Sequence, residues 1–66
     1  MKNTLKVQRA IHELTQAELA QKVKVNKWTI SQMELNNYNP SVALAMRIAR
    51  FFNKPVEEIF IFEEGD

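Results

Sequence analysis

Apolar residues recur at helical spacing along most of this chain, and polar start and stop signals divide the pattern into five pieces. Leu5, Val7, Ala10, Ile11 and Leu14 form a broad stripe that predicts a first helix over residues 4–12, with Asn3 or Thr4 as its cap. Gln8 stands where an inward apolar residue would follow Leu5, and it either hydrogen-bonds in the core or faces out. Leu19, Ala20 and Val23 place a second helix over 16–23. Its start is marked twice. Thr15 and Glu18 have the spacing of a capping box, in which hydroxyl and carboxylate satisfy amides that a helix start leaves unpaired, and Leu14 and Leu19 have the spacing of a hydrophobic staple. Asn26 caps a third helix over 27–35 that turns Ile30 and Met33 inward, and Val25 with Ile30 repeats the staple.

Lys24, between the second and third helices, occupies a turn position where a positive φ would favour glycine, at a strain of up to ~1 kcal/mol. Asn36 to Pro40 form a loop: Asn36 or Asn37 can take the left-handed conformation that ends a helix, and Pro40 forbids early helix. Ser41 then caps a fourth helix over 42–52, with Leu44, Ala45, Ile48, Ala49 and Phe52 on one face. Asn53 ends it, and Pro55 pre-sets a short fifth helix over 56–60. Ile59 to Phe62 are consecutive apolar residues of β-branched and aromatic type, which suit a short strand. Ile61 and Phe62 either fold back on the first helix or meet a second subunit. The second is favoured, because an exposed patch of this kind rarely belongs to a monomer, so Phe51, Ile59, Phe60, Ile61 and Phe62 are the expected interface of a two-fold homodimer.

Composition narrows the class. A chain of 66 residues is read as a single all-α domain, and one of this size buries only roughly 60% of the surface its unfolded form exposes. Without cysteine, neither a disulfide framework nor a thiolate zinc site can staple it, so helix packing and a partner subunit must supply stability. Apolar runs fall far short of the ~20 residues of a membrane span, and no signal-peptide pattern follows Met1. The cytoplasm of a prokaryote or of a phage-infected cell is the expected location. The net charge of +1 conceals an asymmetry: residues 1–54 carry all nine Lys and Arg against three acids, a net +6, while residues 55–66 carry five acids and no base. A basic body with an acidic tail suits a polyanion partner for the body. Solvation of helix faces by Lys and Arg explains the same charge equally well, so charge alone does not decide.

The second and third helices are joined by so little chain that they must cross steeply, a geometry in which the second of the pair can lie in the major groove of DNA. The outer face of that third helix shows Lys27, Trp28, Ser31 and Gln32. Trp28 lies well round from Ile30 and Met33, so it is expected in solvent rather than in the core. An exposed aromatic beside Lys27 and Gln32 calls for a partner, and a base step or thymine methyl would serve.

The stretch LTQAELAQKVKVNKWTISQME, followed by NPS and the helix ALAMRIARFF, resembles the Cro and C1 repressor type of helix-turn-helix regulator, most closely its short stand-alone members. The resemblance covers Leu5 to Phe60 and implies a five-helix domain that binds operator DNA as a homodimer and controls transcription, without a cofactor. It implies roles residue by residue. Lys27, Trp28 and Gln32 match recognition-helix positions that reach base edges. Gln16 matches a residue that grips a phosphate and braces the recognition helix, and Thr15, Lys24, Ser31, Asn36, Asn37, Tyr38 and Asn39 fall among the DNA backbone contacts. Arg9 and Glu34 match a buried salt bridge between the first and third helices. Leu35, Asn36 and Asn37 depart from the usual Asn, Gly and Lys, which removes one phosphate-binding lysine, and Glu13 replaces a usual glycine in the first turn. Some members add a short strand after the fifth helix, which would suit Ile61 and Phe62.

Two other classes remain. A protein-binding module on the same fold, such as an antitoxin that holds a toxin or another regulator, would use the apolar surface at Trp28 and Phe60 to Phe62. An enzyme is the weakest reading: His12 is the only histidine, there is no Gly-rich phosphate loop, and the single glycine, Gly65, sits in the tail.

Overall fold

The computed structural model describes residues 2–61. In chain order these form β1 (Lys2–Asn3), α1 (Leu5–Ile11), α2 (Gln16–Val23), α3 (Lys27–Glu34), α4 (Val42–Phe52), α5 (Val56–Ile59) and β2 (Phe60–Ile61). Side-chain caps start the central three helices. The Thr15 and Glu18 side chains each accept from the other residue's amide, at 3.1 and 3.0 Å, completing the capping box of α2. Asn26 Oδ1 accepts from the Thr29 amide at 2.9 Å, and Ser41 Oγ accepts from the Leu44 amide at 3.1 Å. At α1, for which Asn3 or Thr4 is the expected cap, the Thr4 side chain makes no cap bond. Asn3 Oδ1 instead accepts from the Leu5 amide at 3.1 Å, and the Thr4 hydroxyl donates to the Glu58 carbonyl at 2.8 Å.

The helix ends share one device. Glu13, Lys24, Asn36 and Asn53 all adopt positive φ between 55° and 63°. In each case the following amide reaches back to a carbonyl five residues earlier: Leu14 to Arg9, Val25 to Ala20, Asn37 to Gln32, and Lys54 to Ala49. These are Schellman closures, made without a glycine at any of the four positions. Glu13 therefore keeps the turn geometry that a glycine would have given.

Leu5, Leu19, Val23, Ile30, Met33, Ile48, Phe52, Ile59 and Phe60 form the buried centre, contributed by all five helices and by β2. The apolar stripe expected on α1 is corrected here. Val7 and Ile11 are 57% and 64% exposed, and the buried residues of α1 are Leu5 and Gln8. At 100° per residue, Leu5, Gln8, Arg9 and His12 share one side of the helix while Val7 and Ile11 occupy the other. The Arg9 ion pair holds this side towards the body of the molecule, and the exposed His12 at its end touches Phe52, with 5.0 Å between ring centroids. Gln8 thus faces in, and its Oε1 is buried without a hydrogen-bond partner among the described residues.

At the chain end the expected short strand forms, while the favoured packing of Ile59 and Phe60 against a second subunit does not fit their burial. Phe60–Ile61 pairs antiparallel with Lys2–Asn3 in the register Lys2 to Ile61 and Asn3 to Phe60, so it folds back on the N-terminal strand of its own subunit. The Thr4 amide extends this stitch by donating to the Ile59 carbonyl at 2.8 Å. Ile59 and Phe60, expected at a dimer interface, are 0% and 1% exposed and have no surface left for another chain. Phe51 is half-buried against Phe52, and Ile61 is exposed at 43%; Phe62 lies outside the described residues. No helix among the described residues is long and apolar enough to cross a membrane.

Candidate nucleic-acid interface

α3 is held from behind by a polar network. Arg9 Nε and Nη2 donate to Glu34 Oε2 and Oε1 at 2.9 and 3.2 Å, the two-pronged match of guanidinium to carboxylate. The remaining Arg9 nitrogen, Nη1, donates to the Leu14 carbonyl at 2.8 Å, and Gln16 Nε2 donates to Glu34 Oε1 at 3.0 Å. The two charged side chains are 17% and 7% exposed, so the pair is largely out of water. The hydrogen bond to Glu34 raises the Arg9 pKa further above its ordinary value, against the desolvation that lowers it. One carboxylate at the end of α3 is thereby tied to α1 and to the first residue of α2. That is the salt bridge and the bracing role of Gln16 that the resemblance implies.

The opposite face of α3 is open. Lys27 is exposed, Trp28 is 61% exposed, and Ser31 and Gln32 are half-buried. The only acid of α3, Glu34, is consumed by the network behind it. Trp28 meets Tyr38 edge to face, with centroids 6.3 Å apart and an interplanar angle of 78°. Gln32 Oε1 accepts from Asn37 Nδ2 at 3.4 Å. The loop that supplies Asn37, Tyr38 and Asn39 is exposed, and Asn36 anchors it: its Oδ1 accepts from Asn3 Nδ2 at 3.0 Å, while the same Nδ2 donates to the Met33 carbonyl at 2.8 Å. Lys24, in its left-handed turn, is exposed, and so is Thr15, whose hydroxyl is engaged in the cap.

Lys6 was not singled out by sequence reasoning. It lines a cleft of about 270 Å³ together with Arg9, Gln16, Ser31, Glu34 and Leu35, which sets a cation beside two of the expected backbone-contacting residues. Its position three residues before Arg9, whose expected partner lies on α3, was the available signal. His12 takes no part in this face; its Nδ1 lies 2.9 Å from the Gln8 carbonyl. No cluster of three metal-binding side chains occurs among the described residues.

Residues 5–59 match the helix-turn-helix family over nearly the whole described chain. The chain belongs to that family. Its Cro/C1-type members are DNA-binding transcriptional regulators rather than enzymes, and this chain is one of them. It is 48% identical to an uncharacterized HTH-type transcriptional regulator of Methanocaldococcus jannaschii, over the full length of both chains. It is also 48% identical to one of Archaeoglobus fulgidus, over all of this chain and 93% of the relative. The regulator YgzD of Bacillus subtilis is 36% identical over 97% of each chain.

Proposed function

We propose that this regulator represses transcription in a prokaryotic cytoplasm by occupying a near-palindromic operator as a homodimer, each subunit laying α3 in the major groove. The observation that carries the reading is the open face of α3: a cation, an amide and an aromatic ring on a helix whose one carboxylate is turned away and tied down. Lys27 is suited to donate to guanine O6 and N7, and Gln32 to pair with the N6 and N7 edge of adenine. Thr15, Gln16, Lys24, Ser31 and the loop from Asn36 to Asn39 then lie on the phosphates, with the positive N-terminus of α2 towards the backbone. Lys6 joins them.

A second copy supplies the symmetry. Val42 and Met46 are exposed apolar residues that line a groove of about 900 Å³ with Pro55 and Val56. Arg50 and Lys54 also line it, and the exposed carboxylates of Glu57 and Glu58 on α5 offer complementary charge from a two-fold mate. Ile61 and the half-buried Phe51 retain some surface but do not line this groove, and Phe51 lies on the other side of α4 from Val42. Two subunits then set their α3 helices ~34 Å apart on one face of the duplex.

Selection of bound sites from a random DNA pool, repeated at two salt concentrations, tests this. A two-fold consensus with half-sites one helical turn apart, bound less tightly as salt rises, is the expected result. Recovery of no consensus at low salt overturns the DNA reading and leaves a protein partner as the function of this surface.

A further inference from the structure

Among the residues on the open face of α3, Trp28 is the aromatic one, and it is 61% exposed. We propose that Trp28 reads the 5-methyl group of a thymine and that Tyr38 is the residue that positions it; this rests on the DNA-binding reading above. Trp28 is the second residue of α3, at the end of the helix that comes nearest the base edges when such a helix enters the groove. Tyr38 stands edge-on against the indole of the exposed Trp28 with centroids 6.3 Å apart, a contact that favours this placement of the ring. Tyr38 is in turn placed by the left-handed Asn36 and by the bond from the Asn37 amide to the Gln32 carbonyl at 2.9 Å. The result is a preformed apolar ledge of two rings.

The chemistry of the major groove leaves little choice for such a ledge. The thymine methyl is the one apolar group that projects from a base edge there, beside hydrogen-bond donors and acceptors and the flat C5–H of cytosine. The face of an indole laid over the polar groups would strip water from them and return no hydrogen bond, since its one donor, Nε1–H, lies in the ring plane, and that is unfavourable. Over a methyl group it loses nothing. Gln32 lies four residues on, on the same face and about 6 Å along the axis. The thymine is therefore expected within about two base pairs of the adenine that Gln32 prefers.

The test uses duplexes of the consensus selected above, in which each thymine is replaced in turn by deoxyuridine, removing only the methyl group. The wild-type protein is expected to lose about fourfold in affinity at one thymine per half-site, the size set by burial of one methyl group. Trp28→Ala should bind the thymine and deoxyuridine duplexes equally. Tyr38→Ala should lose most of the discrimination, and Tyr38→Phe, which keeps the ring edge, should retain it. Both aromatic side chains are exposed, so thermal unfolding of the variants should stay near wild type. The proposal is overturned if no thymine position responds to deoxyuridine, or if Trp28→Ala still discriminates. Tyr38→Ala with an unchanged ratio removes Tyr38 from it. A consensus without methyl dependence sinks only this inference, whereas failure to select any site sinks the DNA reading and this inference together.

Discussion

Lys24 shows how a single residue can serve two demands that pull apart. Its φ of 63° lies in the left-handed region that a side chain with Cβ enters at a cost of about 1 kcal/mol, yet the turn needs it there to close α2 onto Val25. Lys24→Gly is expected to relieve that strain and stabilise the fold by about 0.5–1 kcal/mol, while removing an exposed cation from the proposed DNA-facing side. Denaturant titration and binding at fixed salt should therefore move in opposite directions: higher stability, weaker binding. Gln32 offers a cleaner separation of roles. Its replacement by Ala is expected to relax preference at one base pair by roughly 1–3 kcal/mol, read by competition among single-base variants of the selected site. An equal loss on every sequence would make it a backbone contact.

At the scale of elements, the network around Glu34 ties α3 to α1 and α2 in addition to its Asn26 cap and its buried Ile30 and Met33. Glu34→Ala leaves the Arg9 guanidinium largely buried without its carboxylate and is expected to cost about 3 kcal/mol, measured by urea unfolding. The double replacement of Arg9 by Met and Glu34 by Leu removes both charges and should recover much of that loss, since an apolar pair of similar volume needs no mutual neutralisation. If DNA preference is nonetheless blurred in the double variant, the ion pair acts in aiming α3 rather than in stability. The N-terminus of α2 carries a pH signature. Hydrogen bonds from the Thr15 amide and hydroxyl hold the Glu18 carboxylate below its ordinary range. A folded value below the unfolded one means that this contribution is present at neutral pH and is lost as pH falls through the lowered value. Glu18→Gln keeps an acceptor for the Thr15 amide but cannot titrate. Its stability should fall less steeply than that of wild type below about pH 4, followed by circular dichroism.

For the whole molecule, the proposed two-fold assembly would make dimerisation and DNA binding linked equilibria, because one subunit would make only half of the expected backbone contacts. Sedimentation equilibrium should show reversible dimers, and Met46→Glu, placing a charge in the apolar groove, should shift the chain to monomer and weaken binding to a two-half-site duplex far more than to a single half-site. Equal weakening on both duplexes would place the groove outside the dimer contact.

What could be read from the chain alone was what nearby residues decide between themselves. Thr15 with Glu18, Asn26 with Thr29 and Ser41 with Leu44 are three-residue interactions, so helix starts followed from spacing, and the four left-handed closures span five. The outward face of α3 was legible too, because Ile30 and Met33 at helical spacing leave Lys27 and Trp28 no inward direction. Tertiary structure decided which side of α1 is buried, since Val7 and Ile11 are as apolar as Leu5 and long-range contacts, the pairing of Arg9 with Glu34 and the His12 ring against Phe52 among them, choose between the faces. It also decided the fate of Ile59 and Phe60. Their burial depends on Lys2 and Asn3 at the other end of the chain, and no local pattern records a contact between strands that far apart.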